Sequence, residues 1–158
     1  MYKNLNGSVA MAYIAGLIDG EGYMGLYFPN GVMLGIEMND KSALELIVDT
    51  LGGNLRGVHP RRNHVGGYRV SYSNNMATKI LEILQPYLII KQNLACTLIN
   101  YGKKWVYATD YQRRKWVEEY RSLPVARLKS NVSGRPKGSK SVKNKLVKRG
   151  FTGTQSLL

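Results

Sequence analysis

The sequence is short of several things, and each shortage excludes a class of protein. Its 158 residues include one cysteine, Cys96, so no internal disulfide can form and nothing points to an oxidising compartment. Cys96 stands in an apolar helical stretch with Leu94, Leu98 and Ile99, where a small buried thiol is expected. There is no run of about 18 apolar residues and no charged-then-apolar start. Neither a membrane span nor a secretory signal is therefore expected, and the chain is expected to work inside a cell. The two histidines, His59 and His64, lack metal-ligand spacing and read as solvated or phosphate-contacting groups. Acidic residues are scarce, 10 against 23 Lys plus Arg, for a net charge of +13.

Such an excess attracts polyanions, meaning nucleic acid or an acidic membrane surface, and no basic amphipathic anchor favours the second. The charge is unevenly spread. After Ser122 there is no acidic residue, while Arg127, Lys129, Arg135, Lys137, Lys140, Lys143, Lys145, Lys148 and Arg149 carry nine of the thirteen net charges. The expected organisation is one domain over residues 1–122, able to bury its own core, and a basic extension over 123–158.

Periodicity supplies the fold class. Ser8 is a plausible N-cap for a helix running to about Asp19 or Gly20. Alternation then takes over: Met24, Leu26 and Phe28 against Tyr23, Gly25 and Tyr27, then Leu34, Ile36 and Met38 against Met33, Gly35 and Glu37, joined by Pro29-Asn30-Gly31. Asn39 or Asp40 caps a second helix with Leu44, Ile47, Val48 and Leu51 on one face, closed by Gly52-Gly53. A second hairpin is expected from Asn54 to His59 and Val65 to Ser73 around a basic turn, Pro60 to Asn63. Helices follow over about 75–84, 88–107 and 110–121. The order α-β-β-α-β-β-α, then further helices, is an α+β pattern with helices on one face of an antiparallel sheet.

The first helix carries Ala12, Gly16 and Gly20 at i, i+4 and i+8, with Ala15 and Asp19 beside them. Small residues on one face let two helix backbones approach closely, whereas Tyr13, Ile14, Leu17 and Ile18 read as the core side. Each glycine inside a helix costs about 1 kcal/mol relative to alanine. The stripe serves either close packing within the domain or a helix pair at an interface. At the end of the helix Asp19 and Glu21 bracket Gly20, although carboxylates are disfavoured at a helix C-terminus. A bound divalent cation explains them, since hard oxygen donors suit Mg²⁺; two solvated turn acids are the alternative.

Ile14-Ala15-Gly16-Leu17-Ile18-Asp19-Gly20-Glu21-Gly22 resembles the signature of the LAGLIDADG homing endonucleases, matching it at Ala15, Gly16, Leu17, Ile18, Asp19 and Gly22. Gln85-Pro86-Tyr87-Leu88-Ile89-Ile90-Lys91-Gln92 resembles that family's later Q-P-[FY]-L-x-x-K-x segment. The resemblance implies a saddle-shaped antiparallel sheet and site-specific double-strand cleavage of DNA dependent on Mg²⁺ or Mn²⁺. It implies metal binding by Glu21 and the Gly20 carbonyl, with Lys91 near the scissile phosphate and Asp19 structural near the helix pair. Asp40, or Asn39, stands roughly where relatives orient the attacking water. The family's arginine on that helix falls near Leu44 and is not carried over.

A single motif per chain implies a homodimer through Ala12, Ala15, Gly16, Asp19 and Gly20, acting on a long pseudo-palindromic duplex. The sheet face opposite the helices, with Tyr23, Tyr27, Met33, Glu37, Arg56, Arg69 and Ser71, together with Arg61 and Arg62 of the turn, is expected to contact that duplex. Ser133 to Lys140 resembles the Gly-Arg-Pro core of AT-hook segments, so Arg135, Lys137 and Lys140 are expected to follow DNA as an extended arm. The family also implies an intron-encoded gene in a prokaryote, a phage-infected cell or an organelle. A non-cleaving DNA-binding regulator, or a splicing maturase bound to intron RNA, shares the fold and is the alternative.

Overall fold

The computed structural model describes residues 7–59 and 66–127. Arg61, Arg62, His64 and the extension with Arg135, Lys137 and Lys140 lie outside the described residues. The elements run α1 (Gly7–Gly20), β1 (Gly22–Tyr27), β2 (Gly31–Met38), α2 (Lys41–Leu51), β3 (Leu55–Val58), β4 (Gly67–Ser73), α3 (Asn74–Leu84), a 3-10 turn (Gln85–Tyr87), α4 (Gln92–Trp105), α5 (Asp110–Ser122) and α6 (Pro124–Arg127). The four strands form one antiparallel sheet in the order β1-β2-β4-β3.

The period-2 pattern sorts the sheet into two faces. Met24, Leu26, Val32, Leu34, Ile36, Val70 and Tyr72 are buried beneath the helices, joined there by Ile14 and Ile18 of α1, Leu44 and Ile47 of α2, Leu81 and Leu84 of α3, and Leu98 and Trp105 of α4. Asp40 starts α2 as its N-cap: its Oδ1 accepts from the backbone N–H groups of Ser42 (2.9 Å) and Ala43 (3.3 Å) and from the Ser42 hydroxyl (2.6 Å). Those hydrogen bonds, led by the Ser42 hydroxyl, hold the Asp40 carboxyl below its ordinary range. Tyr72 is fixed by donating to the Gly52 carbonyl at 2.7 Å, and burial pushes its phenol up to about 12. α5 packs beside the edge strand β1, where the Arg114 guanidinium lies 4.0 Å from the centre of the Phe28 ring. The core continues past Ser122 through Leu123, Val125 and Ala126. No helix among the described residues is long and apolar enough to cross a membrane.

Four expectations are corrected. In α1 the inward stripe is Ala10, Ile14, Ala15 and Ile18, so Ala15 is fully buried inside its own chain rather than placed on the outward small-residue face. Tyr13, expected in the core, is 41% exposed. Both follow from helical phase at about 100° per residue: the core side centres between Ile14 and Ile18, about 80° from Ala15 but about 120° from Tyr13, which falls beside Gly16. Cys96 is exposed, because the inward positions of α4 are Leu94, Ala95, Leu98, Ile99, Gly102 and Trp105. Residues 88–91, expected to open the fourth helix, are not helical: their amides are engaged elsewhere, and α4 begins at Gln92.

Candidate functional site

The turn from α1 into β1 is built on a close approach. A Cβ at Gly22 would lie 2.7 Å from the Ile18 carbonyl oxygen and 2.8 Å from the Ile18 Cα, so only glycine lets the chain reverse this tightly. The Glu21 N–H closes the last turn of the helix on the Leu17 carbonyl at 2.8 Å. This leaves Glu21 exposed at the corner, its side chain hydrogen-bonded to nothing among the described residues.

A second segment locks this corner from below. The Asp19 carboxylate accepts from three successive backbone N–H groups, those of Ile89 (2.7 Å), Ile90 (3.1 Å) and Lys91 (2.9 Å). In return the Lys91 ammonium donates to the carbonyls of Ile18 (2.5 Å) and Gly22 (2.7 Å). The exchange ties the two segments together at both ends: a cation meets one C-terminal carbonyl of α1 and the first carbonyl of β1, and a carboxylate meets the amides leading into α4. Burial pushes the Lys91 ammonium below the ordinary lysine value, and the Asp19 and Glu21 carboxylates partly offset this. Two of its three N–H bonds are committed to the corner, and one remains.

Among the described residues no cluster of three His, Cys, Asp or Glu side chains could hold a metal ion. The corner instead offers one free carboxylate, that of Glu21, beside the backbone of Gly20, where even a Cβ would meet nothing within 4 Å. That donor set is all hard oxygen and open to solvent. It fits a cation that keeps most of its water and takes phosphate oxygens, as Mg²⁺ does, and does not fit a closed protein cage. Asp40 stands at the same end of the sheet, beyond Met38 of β2, with its Oδ2 outside the capping bonds.

The sheet face opposite the helices leads away from this corner. By register it carries Tyr23, Tyr27, Met33, Glu37, Arg56, Arg69 and Ser71, as expected, and also Ser73. Alternation extended by two residues past Ser71 identifies Ser73 from sequence alone. The two tyrosines lie down on the sheet rather than standing off it. A Cβ at Gly25 would be 2.8 Å from the Tyr27 ring, and one at Gly35 would strike the Tyr23 ring, so each glycine makes room for a cross-face aromatic. Glu37 pairs with Arg69 across β2 and β4, while Arg56 stands opposite Arg69 on β3.

On the outer face of α1, Ala12, Gly16 and Gly20 are exposed, and a Cβ at Gly16 or Gly20 would meet nothing within 4 Å. Packing within the chain therefore does not require either glycine. Beside the end of this helix Ile89 and Ile90 are 86% and 75% exposed. No sequence period marks them; only the bonds to Asp19 bring them there.

These elements, their order and their sheet define the fold of the LAGLIDADG homing endonucleases. The chain is similar, over 82% of its length and 86% of the other's, to the homing endonuclease I-CvuI in complex with its target Sro1.3 in the presence of 2 mM Ca, with a TM-score of 0.61 and 19% identity. The same enzyme in complex with the I-CreI target in the presence of 2 mM Mg, its DNA not cleaved, gives a TM-score of 0.57 at 19% identity. The archaeal intron-encoded homing endonuclease I-Vdi141I, complexed with DNA, gives 0.62 at 17% identity, over 83% of this chain and 90% of that one. No protein-family model and no curated protein matches the sequence.

Proposed function

We propose that this chain is a homing endonuclease of the LAGLIDADG family, which binds duplex DNA across its open sheet face and hydrolyses both strands as a homodimer with a divalent metal. The observation that carries this reading is the α1–β1 corner, where an unpaired carboxylate, Glu21, sits with the Lys91 ammonium at the end of a sheet shared with DNA-bound homing endonucleases. Glu21 and the Gly20 carbonyl would hold Mg²⁺ or Mn²⁺, which when bound polarises a phosphodiester and acidifies its water. Lys91 keeps the corner closed and has one N–H left to offset charge on the phosphate. Asp40 Oδ2 is available to orient a water. The nuclease domain would take in the expected residues 1–122 together with Leu123, Val125 and Ala126, which pack on its core, and Arg135, Lys137 and Lys140 of the extension would follow the backbone of the DNA, as would Arg61 and Arg62 of the expected second turn. Phosphate contacts of that kind make binding steeply salt-dependent.

The test is incubation of the full chain with a randomised duplex library and Mg²⁺, followed by sequencing of the cut ends. Double-strand breaks at one pseudo-palindromic site, lost on chelation while binding persists, are expected. Binding without cleavage under any divalent metal would leave a DNA-binding regulator as the correct reading.

A single corner cuts one strand, so two copies are needed, and the open glycines of α1 support the pairing. Gly16→Leu removes a helix glycine and fills space that is empty in the lone chain. The substituted monomer should stay folded and unfold no earlier than the wild type. Its dimer should weaken by about 1–3 kcal/mol, roughly 5- to 150-fold, because the added side chain overpacks the helix contact. Sedimentation at several concentrations reads this directly, and an unchanged dimer would remove α1 from the interface.

A further inference from the structure

Glu37 is an oddity on a face meant for DNA. It is a carboxylate that phosphate would repel, on a chain with only 10 acidic residues. Its surroundings explain it. Glu37 lies directly opposite Arg69, and Arg69 lies directly opposite Arg56, so the three side chains form one row across β2, β4 and β3 on the face free of helices. Arg69 Nε donates to Glu37 Oε2 at 2.9 Å, and Arg69 Nη2 donates to the same oxygen. The pair is partly shielded, the side chains being 43% exposed for Arg69 and 26% for Glu37.

A guanidinium has two hydrogen-bonding edges. The side edge, Nε with Nη2, is consumed here by one carboxylate oxygen. The end edge, Nη1 with the second N–H of Nη2, takes no part in that pair. This end edge carries the two parallel donors that match O6 and N7 of guanine in the major groove. An unpinned arginine would swing to the nearest phosphate, whereas one tied by its side edge presents its end edge in a fixed direction. Oε1 of Glu37 is likewise outside the pair, and a carboxylate oxygen accepts from the cytosine N4 amine of the same base pair. The row also has a definite place along the strand. Gly22 pairs with Ile36, and Glu37 is the next residue of β2, so the row sits at the Glu21 end of the sheet, away from the hairpin end at Tyr27 and Gly31.

We propose that Arg69 reads a G·C pair near the cleaved bond in each half-site, and that Glu37 is the positioning residue that aims it. This inference rests on the DNA-cleaving reading above. The experiment selects binding sites from a randomised duplex library with no divalent metal, so that nothing is cut, using wild type, Arg69→Lys and Glu37→Gln. Wild type should select a palindromic site with a fixed G·C pair on the axis side of each half. Arg69→Lys should lose that preference by about tenfold or more, since lysine cannot form the bidentate pair, while every other position keeps its own. Glu37→Gln should keep Arg69 but relax the choice at that one pair, and binding to unselected DNA should become equal or tighter. The double exchange Glu37→Arg with Arg69→Glu keeps an ion pair for folding and should move the preference along the site. Unchanged preferences in both single variants would overturn the inference alone. So would a uniform loss of affinity at all positions in Arg69→Lys, the mark of a phosphate contact. A wild type that selects no site would overturn the DNA-cleaving reading together with it.

Discussion

Glu21→Gln is expected to lower DNA cleavage by about three orders of magnitude while leaving binding and folding intact. The substitution preserves shape and removes one charge from a side chain that is exposed and hydrogen-bonded to nothing among the described residues. Nothing structural is therefore lost, and the unfolding temperature should stay within about 2 °C of wild type, as for other exposed substitutions. What is lost is the one free carboxylate of the corner. No other group of acidic or histidine side chains among the described residues can replace it as a metal site. DNA binding should hold or tighten slightly, since a negative charge has been removed from beside the phosphates. Cleavage and binding are measured on one selected target, with Mg²⁺ for the first and without it for the second. Equal cleavage by the two proteins would take Glu21 out of the reaction and move the candidate site elsewhere.

How much of this corner could be read from residues alone depends on whether its parts are local. The segment from Ile14 to Gly22 announces itself by composition, and the switch from period 3.6 to period 2 falls within it, so the helix, the strand and the exposed acid between them were all legible. The sheet faces were legible for the same reason: alternation put Glu37, Arg69 and Ser71 on one side and Leu34, Ile36 and Val70 on the other. Burial of Ala15 was missed because a small residue suits a helix interface and a tight core equally well, and only the phase set by Ile14 and Ile18 separates them. The Glu37–Arg69 pair was missed because β2 pairs with β4 rather than β3, so the two side chains meet across a non-sequential register. The resemblance implies a structural Asp19, yet its partners, 70 residues away, carry no local signal of any kind.

Those partners make Asp19→Asn the substitution expected to cost most in stability. One carboxylate accepts three backbone N–H bonds, with two of them sharing Oδ2, and an amide offers one good oxygen where the carboxylate has two. Its NH₂ group would face donors, so at least one of the three amides loses its acceptor. Hydrogen bonds to a charged group are worth about 1.5–3 kcal/mol each, and water can reach the exposed amides of Ile89 and Ile90, so a net loss of about 2–3 kcal/mol is expected. For a chain of this size that lowers the unfolding temperature by roughly 5–10 °C. The effect should also be local. Amide exchange at Ile89, Ile90 and Lys91 should quicken well beyond that of the central strands, because the segment is tied to α1 chiefly through this carboxylate. Cleavage should fall as well, since Lys91 reaches the corner only while its own backbone is held there. If instead Asp19 serves mainly the helix pair, the dimer should weaken with dilution while exchange at 89–91 stays protected. Sedimentation beside hydrogen exchange on the same variant separates the two roles, and protected amides with a weakened dimer would reassign Asp19 from the clamp to the interface.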